Sequence, residues 1–265
     1  MLDAALEYLK NKFDNFKPDT AIILGSGLGG LISAIKNPLI IPYSEVPGFP
    51  TPTVAGHEGR FYAGKIGNHN VLCLQGRFHF YEGIDPMIVD AVIQMLKNLG
   101  IEQMIVTNAA GSLRTSLPTG SLLLINDHIN LSGINPLIGQ HEAPYFPDMS
   151  NAYDYDMRQK FLKIAAQENI TVPEGVYMMV LGPNYETKSE VRLFQSFGAD
   201  AVGMSTVSEV ISAVHKGMKV LGVSVISNLC TGLTDKEQDH NDVLQQVQKS
   251  SVKLGILIQK FLEKD

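Results

Sequence analysis

Side chains able to hold an anion recur at every second position of QGRFHFYEG (75–83): Arg77, His79 and Tyr81. The stretch follows the apolar run VLCL (71–74), which reads as a buried strand. Strand side chains repeat with a period of two, so a guanidinium, an imidazole and a phenol are predicted to share one face. Such a face makes a poor core and a reasonable holder for an anion beside a polar organic molecule. Glu82-Gly83 follow and a helix is predicted from about Asp85. The trio is therefore expected at the carboxyl end of a strand, where open α/β sheets bind ligands. The plain alternative is a solvated strand end.

Other strand ends carry groups of the same kind. The first closes in GSGLGG (25–30), whose backbone N–H groups could receive an anion, with Ser26 adding a hydroxyl. Gly25, Gly27 and Gly30 also satisfy G-x-G-x-x-G, with Glu45 as a candidate ribose acid. Against a dinucleotide site, Pro38 cuts the following helix short and Glu45 falls in a loop after Pro42. TNAAGSL (107–113) offers small residues that admit a ligand close to the backbone at Ala109. LGPNYET (181–187) presents Tyr185 and Glu186 before a helix, VGMSTVSE (202–209) presents Met204 and Ser205, and VISNLCTG (225–232) presents Asn228. His240 precedes the last helix. Singly, each has an ordinary reading: a helix-end carboxylate for Glu186, an N-cap for Ser205, a turn amide for Asn228, a surface histidine for His240. Six strand ends form a site only if their strands are neighbours in one sheet.

The elements that must position these groups are legible as apolar, β-branched runs at 20–25, 68–76, 103–109, 120–127, 175–182, 199–205 and 219–228. Most lack strict alternation, as strands covered on both faces do. Helical patterns lie between them at 85–99, 154–168, 187–197, 206–216 and 241–263, and MLDAALEYLKNKF reads as an amphipathic N-terminal helix. Strand alternating with helix predicts one α/β domain over 1–265 with a largely parallel or mixed sheet. Residues 42–60 and 132–152 read as long irregular loops, the kind that carry function or build interfaces.

Bulk properties exclude more than they assign. The chain has 265 residues, 45% hydrophobic and 18% charged, with a net charge of −6 and no basic block, which argues against a nucleic-acid partner. No apolar run is long enough to span a bilayer. Cys73 and Cys230 lie in apolar contexts and read as packed thiols of a cytoplasmic protein. H-E-x-x-H, C-x-x-C, a Walker A loop and a nucleophile elbow are all missing from the sequence.

Taken in order, LGSGLG, GHEGRFYAG, LQGRFHFYEG, TNAAGSL, GPNYET, GADAVGMSTVSE, VISNLCTG and DHNDVL resemble the trimeric purine nucleoside phosphorylase family over most of the chain. The resemblance implies a single α/β domain with a mixed, partly barrel-like sheet, assembled as a homotrimer. It implies reversible phosphorolysis of purine (deoxy)ribonucleosides, 6-oxopurines preferred, with phosphate as co-substrate and neither metal nor organic cofactor. It places Ser26, His57, Arg77, His79, Ala109 and Ser205 at phosphate, with Arg77 suited to a forked grip and His79 to one more donated hydrogen bond. Tyr81 and Met204 would line the ribose and His240 would meet its 5′-hydroxyl. Tyr185 would pack on the base, Glu186 and Asn228 would bond its edge, and Phe146 would be lent by a neighbouring subunit. His79, Glu186 and Asn228 would act in catalysis. Many members have Phe where this chain has Tyr185, which leaves xanthosine use open. A methylthioadenosine phosphorylase would favour an acid in place of Asn228 and a less polar 5′ pocket. A nucleotide-binding oxidoreductase or a non-catalytic nucleoside binder remain as readings from other classes.

Overall fold

A computed structural model describes residues 2–53, 57–234 and 240–264, of which 240–246 and 249 are described by backbone alone. Nine strands make one sheet: β1 (Thr20–Ile23), β2 (Lys36–Pro42), β3 (Arg60–Ile66), β4 (His69–Gln75), β5 (Gln103–Ser112), β6 (Leu122–Asn130), β7 (Glu174–Met179), β8 (Ala201–Gly203) and β9 (Lys219–Leu229). Their order is β2-β3-β4-β1-β5-β8-β7-β6-β9, and a further β5–β9 pairing closes the last five into a ring. The helices are α1 (Asp3–Phe13), α2 (Pro86–Asn98), α3 (Tyr155–Gln167), α4 (Lys188–Ser196), α5 (Val207–His215) and α6 (His240–Glu263). The mixed, partly barrel-like α/β architecture expected from the sequence is the one observed.

The strand runs lack alternation because both faces of the sheet are covered. Ala21, Ile23, Leu72, Leu74, Met104 and Val106 pack in one core with apolar residues of α1, α2 and α5. Ile22, Leu24, Val71, Cys73 and Ile105, one residue out of step, pack in a second core with α3 and α6. Local signals set the helix starts. Asp85 Oδ1 accepts from Met87 N at 2.9 Å ahead of Pro86, and Asp154 Oδ1 accepts from Met157 N at 2.9 Å. Cys73 and Cys230 are buried and free.

Two expectations need correction. Arg77, His79 and Tyr81 are not on a strand: β4 stops at Gln75, Gly76 turns the chain, and Tyr81 lies in a short 3-10 turn over Phe80–Glu82. The helix after GSGLGG is a six-residue 3-10 helix, Gly29–Ala34, and Glu45 sits in another 3-10 turn with Tyr8 Oη donating to it, in line with the objections raised against a dinucleotide site. The irregular segment expected over 42–60 is there, but the strands on either side of it, β2 ending at Pro42 and β3 beginning at Arg60, were not among the expected runs. Those two strands pair antiparallel with each other, and β2 is half exposed at the sheet's edge, so its apolar pattern is weak.

One feature of the sheet opens the site. β9 lines one edge of β5 throughout 103–112. The other edge is shared: β1 pairs with Gln103–Val106 and β8 only with Gly111–Ser112. Between them, at 107–110, neither strand supplies a partner. Here the open sheet parts from the barrel.

Candidate active site

The parting of β1 from β8 leaves a cleft of about 360 Å³. Every strand end singled out in the sequence reaches it: Ser26, Arg77, His79, Tyr81, Ala109, Tyr185, Glu186, Met204, Ser205 and Asn228 all line its wall. Two glycines make this convergence possible. A Cβ on Gly25 would stand 2.7 Å from Asn108 Cα, so only glycine lets the β1 exit pass β5. Gly182, at φ +73, lies where a Cβ would run into Met204 Sδ, which allows the β7 and β8 ends to meet.

Arg77 is 2% exposed, although a solvated strand end was its plain alternative. Its Nε and Nη2 donate to Glu209 Oε1 and Oε2, each at 2.9 Å, and its Nη1 donates to Thr107 O at 2.7 Å and Ser205 Oγ at 3.2 Å. The fork expected to grip an anion is therefore committed to Glu209, and of five N–H donors one on Nη2 is left.

His79 and Tyr81 stack with centroids 4.7 Å apart, and the His57 ring lies 5.3 Å from His79. Burial holds His79 below its ordinary pKa, against the pull of Glu82. Burial opposes ionisation of Glu82, but hydrogen bonds from Thr53 and His79 outweigh it and keep the carboxyl below the usual range. Glu82 Oε1 thus accepts from His79 Nδ1 at 2.9 Å, which leaves Nε2 of the neutral ring as an acceptor. Glu82 Oε2 accepts from Thr53 N at 2.8 Å and Thr53 Oγ1 at 2.6 Å, tying the 46–53 segment to the cleft. His57 Nε2 lies 2.9 Å from Ser26 Oγ. Burial, with His79 and Arg77 nearby, pushes the His57 pKa down to about 3.

At the opposite end, a capping box in which Thr187 and Glu190 satisfy each other starts α4 and fixes Glu186 just ahead of it. Burial raises the Glu186 pKa, with Glu190 adding to it, and among the described residues no ion pair is made with this carboxylate. Ser227 Oγ donates to Asn228 Oδ1 at 2.7 Å, which sets the Asn228 amide nitrogen as donor.

Two expected site residues do not line this cleft, His57, which adjoins it through Ser26 Oγ, and Phe146. Phe146 is 94% exposed, in the irregular 131–152 segment. The His240 side chain lies outside the described residues. Conversely, Asn108, Thr206 and Glu209 were missed. Glu209 did carry a signal, as the one acid among the apolar and small residues of VSEVISAV (207–214) in α5.

Residues 19–263 match the phosphorylase superfamily. The chain is 46% identical over 259 residues to purine nucleoside phosphorylase 1 of Bacillus subtilis (strain 168), covering 97% of this chain and 94% of that one. It is similar to the solved structure of Schistosoma mansoni purine nucleoside phosphorylase in complex with adenosine, with a TM-score of 0.93 at 35% identity, over 99% of this chain and 96% of that one. The S. mansoni structure with inosine gives a TM-score of 0.93 at 34% identity, over 100% and 96%.

Proposed function

The chain belongs to the phosphorylase superfamily and, within it, to the purine nucleoside phosphorylases, and from that premise we propose how its cleft works. The enzyme is a pentosyltransferase: it moves the sugar of a purine (deoxy)ribonucleoside to phosphate, releasing base and (deoxy)ribose 1-phosphate, a step of purine salvage. The observation that carries the assignment of roles is the split edge of β5, which brings Ser26, Arg77, His79 and Ser205 into one cleft with Tyr185, Glu186 and Asn228.

Phosphate sits against Ser26, His79, the backbone at Ala109 and Ser205. Arg77 contributes its remaining donor and His57 closes over from the neighbouring segment. A neutral His79 with Nδ1 bound to Glu82 accepts the P–OH of hydrogen phosphate, and donates only when protonated. Tyr81 and Met204 flank the ribose and His240 meets the 5′-hydroxyl. Tyr185 covers the base, Glu186 accepts from N1–H of a 6-oxopurine, and Asn228 donates at N7. A phosphate oxygen forms the new bond to C1′ as the C1′–N9 bond breaks, and the electron pair leaves with the purine. Holding both reactants in one cleft removes much of the orientational cost. Donation to N7 stabilises the charge that builds there. The chemistry calls on no metal or organic cofactor, since phosphate itself is the nucleophile.

The direct test follows hypoxanthine release from inosine with and without phosphate. Phosphate-dependent release is expected. Release without phosphate marks a hydrolase, and no release marks a binder.

Assembly as a homotrimer is part of the proposal. It is supported by four large apolar side chains left exposed on the 131–152 segment, Leu131, Ile138, Tyr145 and Phe146. If Phe146 closes a neighbour's cleft, Phe146→Ala raises the nucleoside KM about tenfold with kcat little changed. A fully active monomer in sedimentation analysis contradicts this. No described helix is long and apolar enough to cross a membrane. The cytoplasm is the compartment that two free buried thiols suit.

A further inference from the structure

Thr206, between Ser205 and α5, carries two costs at once. Its backbone lies at φ 78, ψ −52, and Val207 N donates to Ser205 O at 2.9 Å, so the chain makes a tight γ-turn of the strained hand on a β-branched residue. Glycine would take that conformation without strain. Thr206 is also the N-cap of α5, yet its hydroxyl makes no cap hydrogen bond. A threonine in this position ordinarily satisfies a first-turn N–H.

The hydroxyl is turned elsewhere. Thr206 Oγ1 accepts from Asn108 Nδ2 at 2.9 Å and lies 3.3 Å from Ser205 Oγ. Arg77 Nη1, which can only donate, reaches the same Ser205 Oγ at 3.2 Å. With the Asn108 amide nitrogen toward Thr206, these bonds have one consistent direction. Thr206 Oγ1 is an acceptor toward Asn108, and among the described residues Ser205 Oγ is the acceptor in reach of its proton. Ser205 Oγ then accepts from both Thr206 and Arg77, and its own proton is left for the cleft it lines. Tyr177 Oη is the other buried group within reach of Ser205; it makes no hydrogen bond of ordinary geometry, so it is a weak competitor for that proton beside a phosphate oxygen. Asn108 and Thr206 are both almost wholly buried, so the relay is shielded from competing water.

We propose that Asn108 and Thr206 are positioning residues for phosphate: the strained turn and the relay Asn108→Thr206→Ser205 hold the Ser205 hydroxyl as an obligate donor to the anion. The inference rests on the phosphorylase reading and deepens its phosphate site. Neither residue touches phosphate in this scheme. Strain of this kind persists only where surrounding contacts over-determine it, and here they converge on one oxygen.

Three substitutions at Thr206 separate this role from a packing role. Thr206→Val keeps the shape and removes the hydroxyl. Thr206→Ser restores the hydroxyl without the methyl. Thr206→Gly removes the hydroxyl and relieves the backbone. Inorganic phosphate is titrated calorimetrically into each full-length protein, and inosine phosphorolysis is followed with phosphate and nucleoside varied separately. Thr206→Val is expected to weaken phosphate about tenfold in Kd and KM, with the nucleoside KM unchanged, as for the loss of one aimed hydrogen bond. Thr206→Ser should recover phosphate affinity to within about threefold. Thr206→Gly should weaken phosphate as Thr206→Val does while its Tm stays at or above wild type, and it carries the test if the valine protein does not fold. An unchanged phosphate Kd in Thr206→Val or Thr206→Gly overturns the proposal, as does a serine variant as weak as the valine one. Wild type that neither binds phosphate nor cleaves inosine would instead overturn the phosphorylase reading on which the proposal stands.

Discussion

Replacing Arg77 with alanine is expected to lower phosphorolysis by about 100-fold or more and to destabilise the fold as well. A residue on an exposed strand end would lose only the first. Arg77 is instead 2% exposed and held in a two-point pair with Glu209. Removing one member of a buried pair leaves the other charge without compensation, at about 3–5 kcal/mol. Here the stranded charge is a carboxylate beside the surface proposed for phosphate, so it also repels the co-substrate. Alanine further removes the donor to Ser205 Oγ and the bond to Thr107 O. The double substitution Arg77→Met with Glu209→Met separates the two losses. Replacing both ions by apolar residues of similar size is near neutral for stability, so Tm should return close to wild type. Activity should not return, because the last Nη2 donor and the hold on Ser205 are gone. Thermal melts and steady-state kinetics on the single and double variants decide the matter. A double variant with restored turnover would make the pair a structural strut and remove Arg77 from the phosphate site.

The expectation for Arg77 changed because its partner lies 132 positions away along the chain. Alternation within QGRFHFYEG correctly gathered three polar groups at a strand exit. It could not show that Gly76 ends the strand, or that a carboxylate on α5 waits beneath. The same division runs through the whole site. Strand runs with no alternation announced a sheet covered on two faces, and the strand ends brought ten of the expected residues to one cleft. What stayed hidden depends on register and on side-chain pairs between distant elements. The sharing of one β5 edge by β1 and β8 is a property of pairing, which a strand's own sequence does not state. Asn108 read as part of a small-residue turn, because its value lies in reaching Thr206, 98 positions on. β2 and β3 escaped because Pro and Gly around 42–60 masked a pairing made mainly with each other and with β4. Phe146 was legible only through the family resemblance, since one exposed aromatic in a loop carries no signal of a partner.

Glu186→Gln is expected to lower kcat/KM for inosine by about 10–100-fold while raising Tm at pH 7. The two effects share one cause. Glu186 is 9% exposed, burial raises its pKa, and among the described residues no cation pairs with it. A folded-state pKa above the unfolded one means that the folded protein binds the proton more tightly. Stability from this group is therefore present below the ordinary carboxylate value of 4.5 and is lost as pH rises through the raised folded value. At neutral pH the ionised side chain works against the fold, and glutamine removes that opposition. The charge is useful only when a ligand supplies a proton to it, as N1–H of a 6-oxopurine does. Adenine offers a lone pair at N1, so wild type should turn over adenosine poorly even where the site can hold it. Glutamine can donate to that lone pair, and the adenosine-to-inosine ratio of kcat/KM should rise. The acid limb of the wild-type pH profile for inosine should lie above 4.5 and should vanish in the variant. Kinetics with both nucleosides across pH, with melts at pH 7 and below 4.5, test every part. A variant with lower Tm at pH 7, or with an unchanged adenosine-to-inosine ratio, would show that Glu186 is a structural carboxylate and does not read the base.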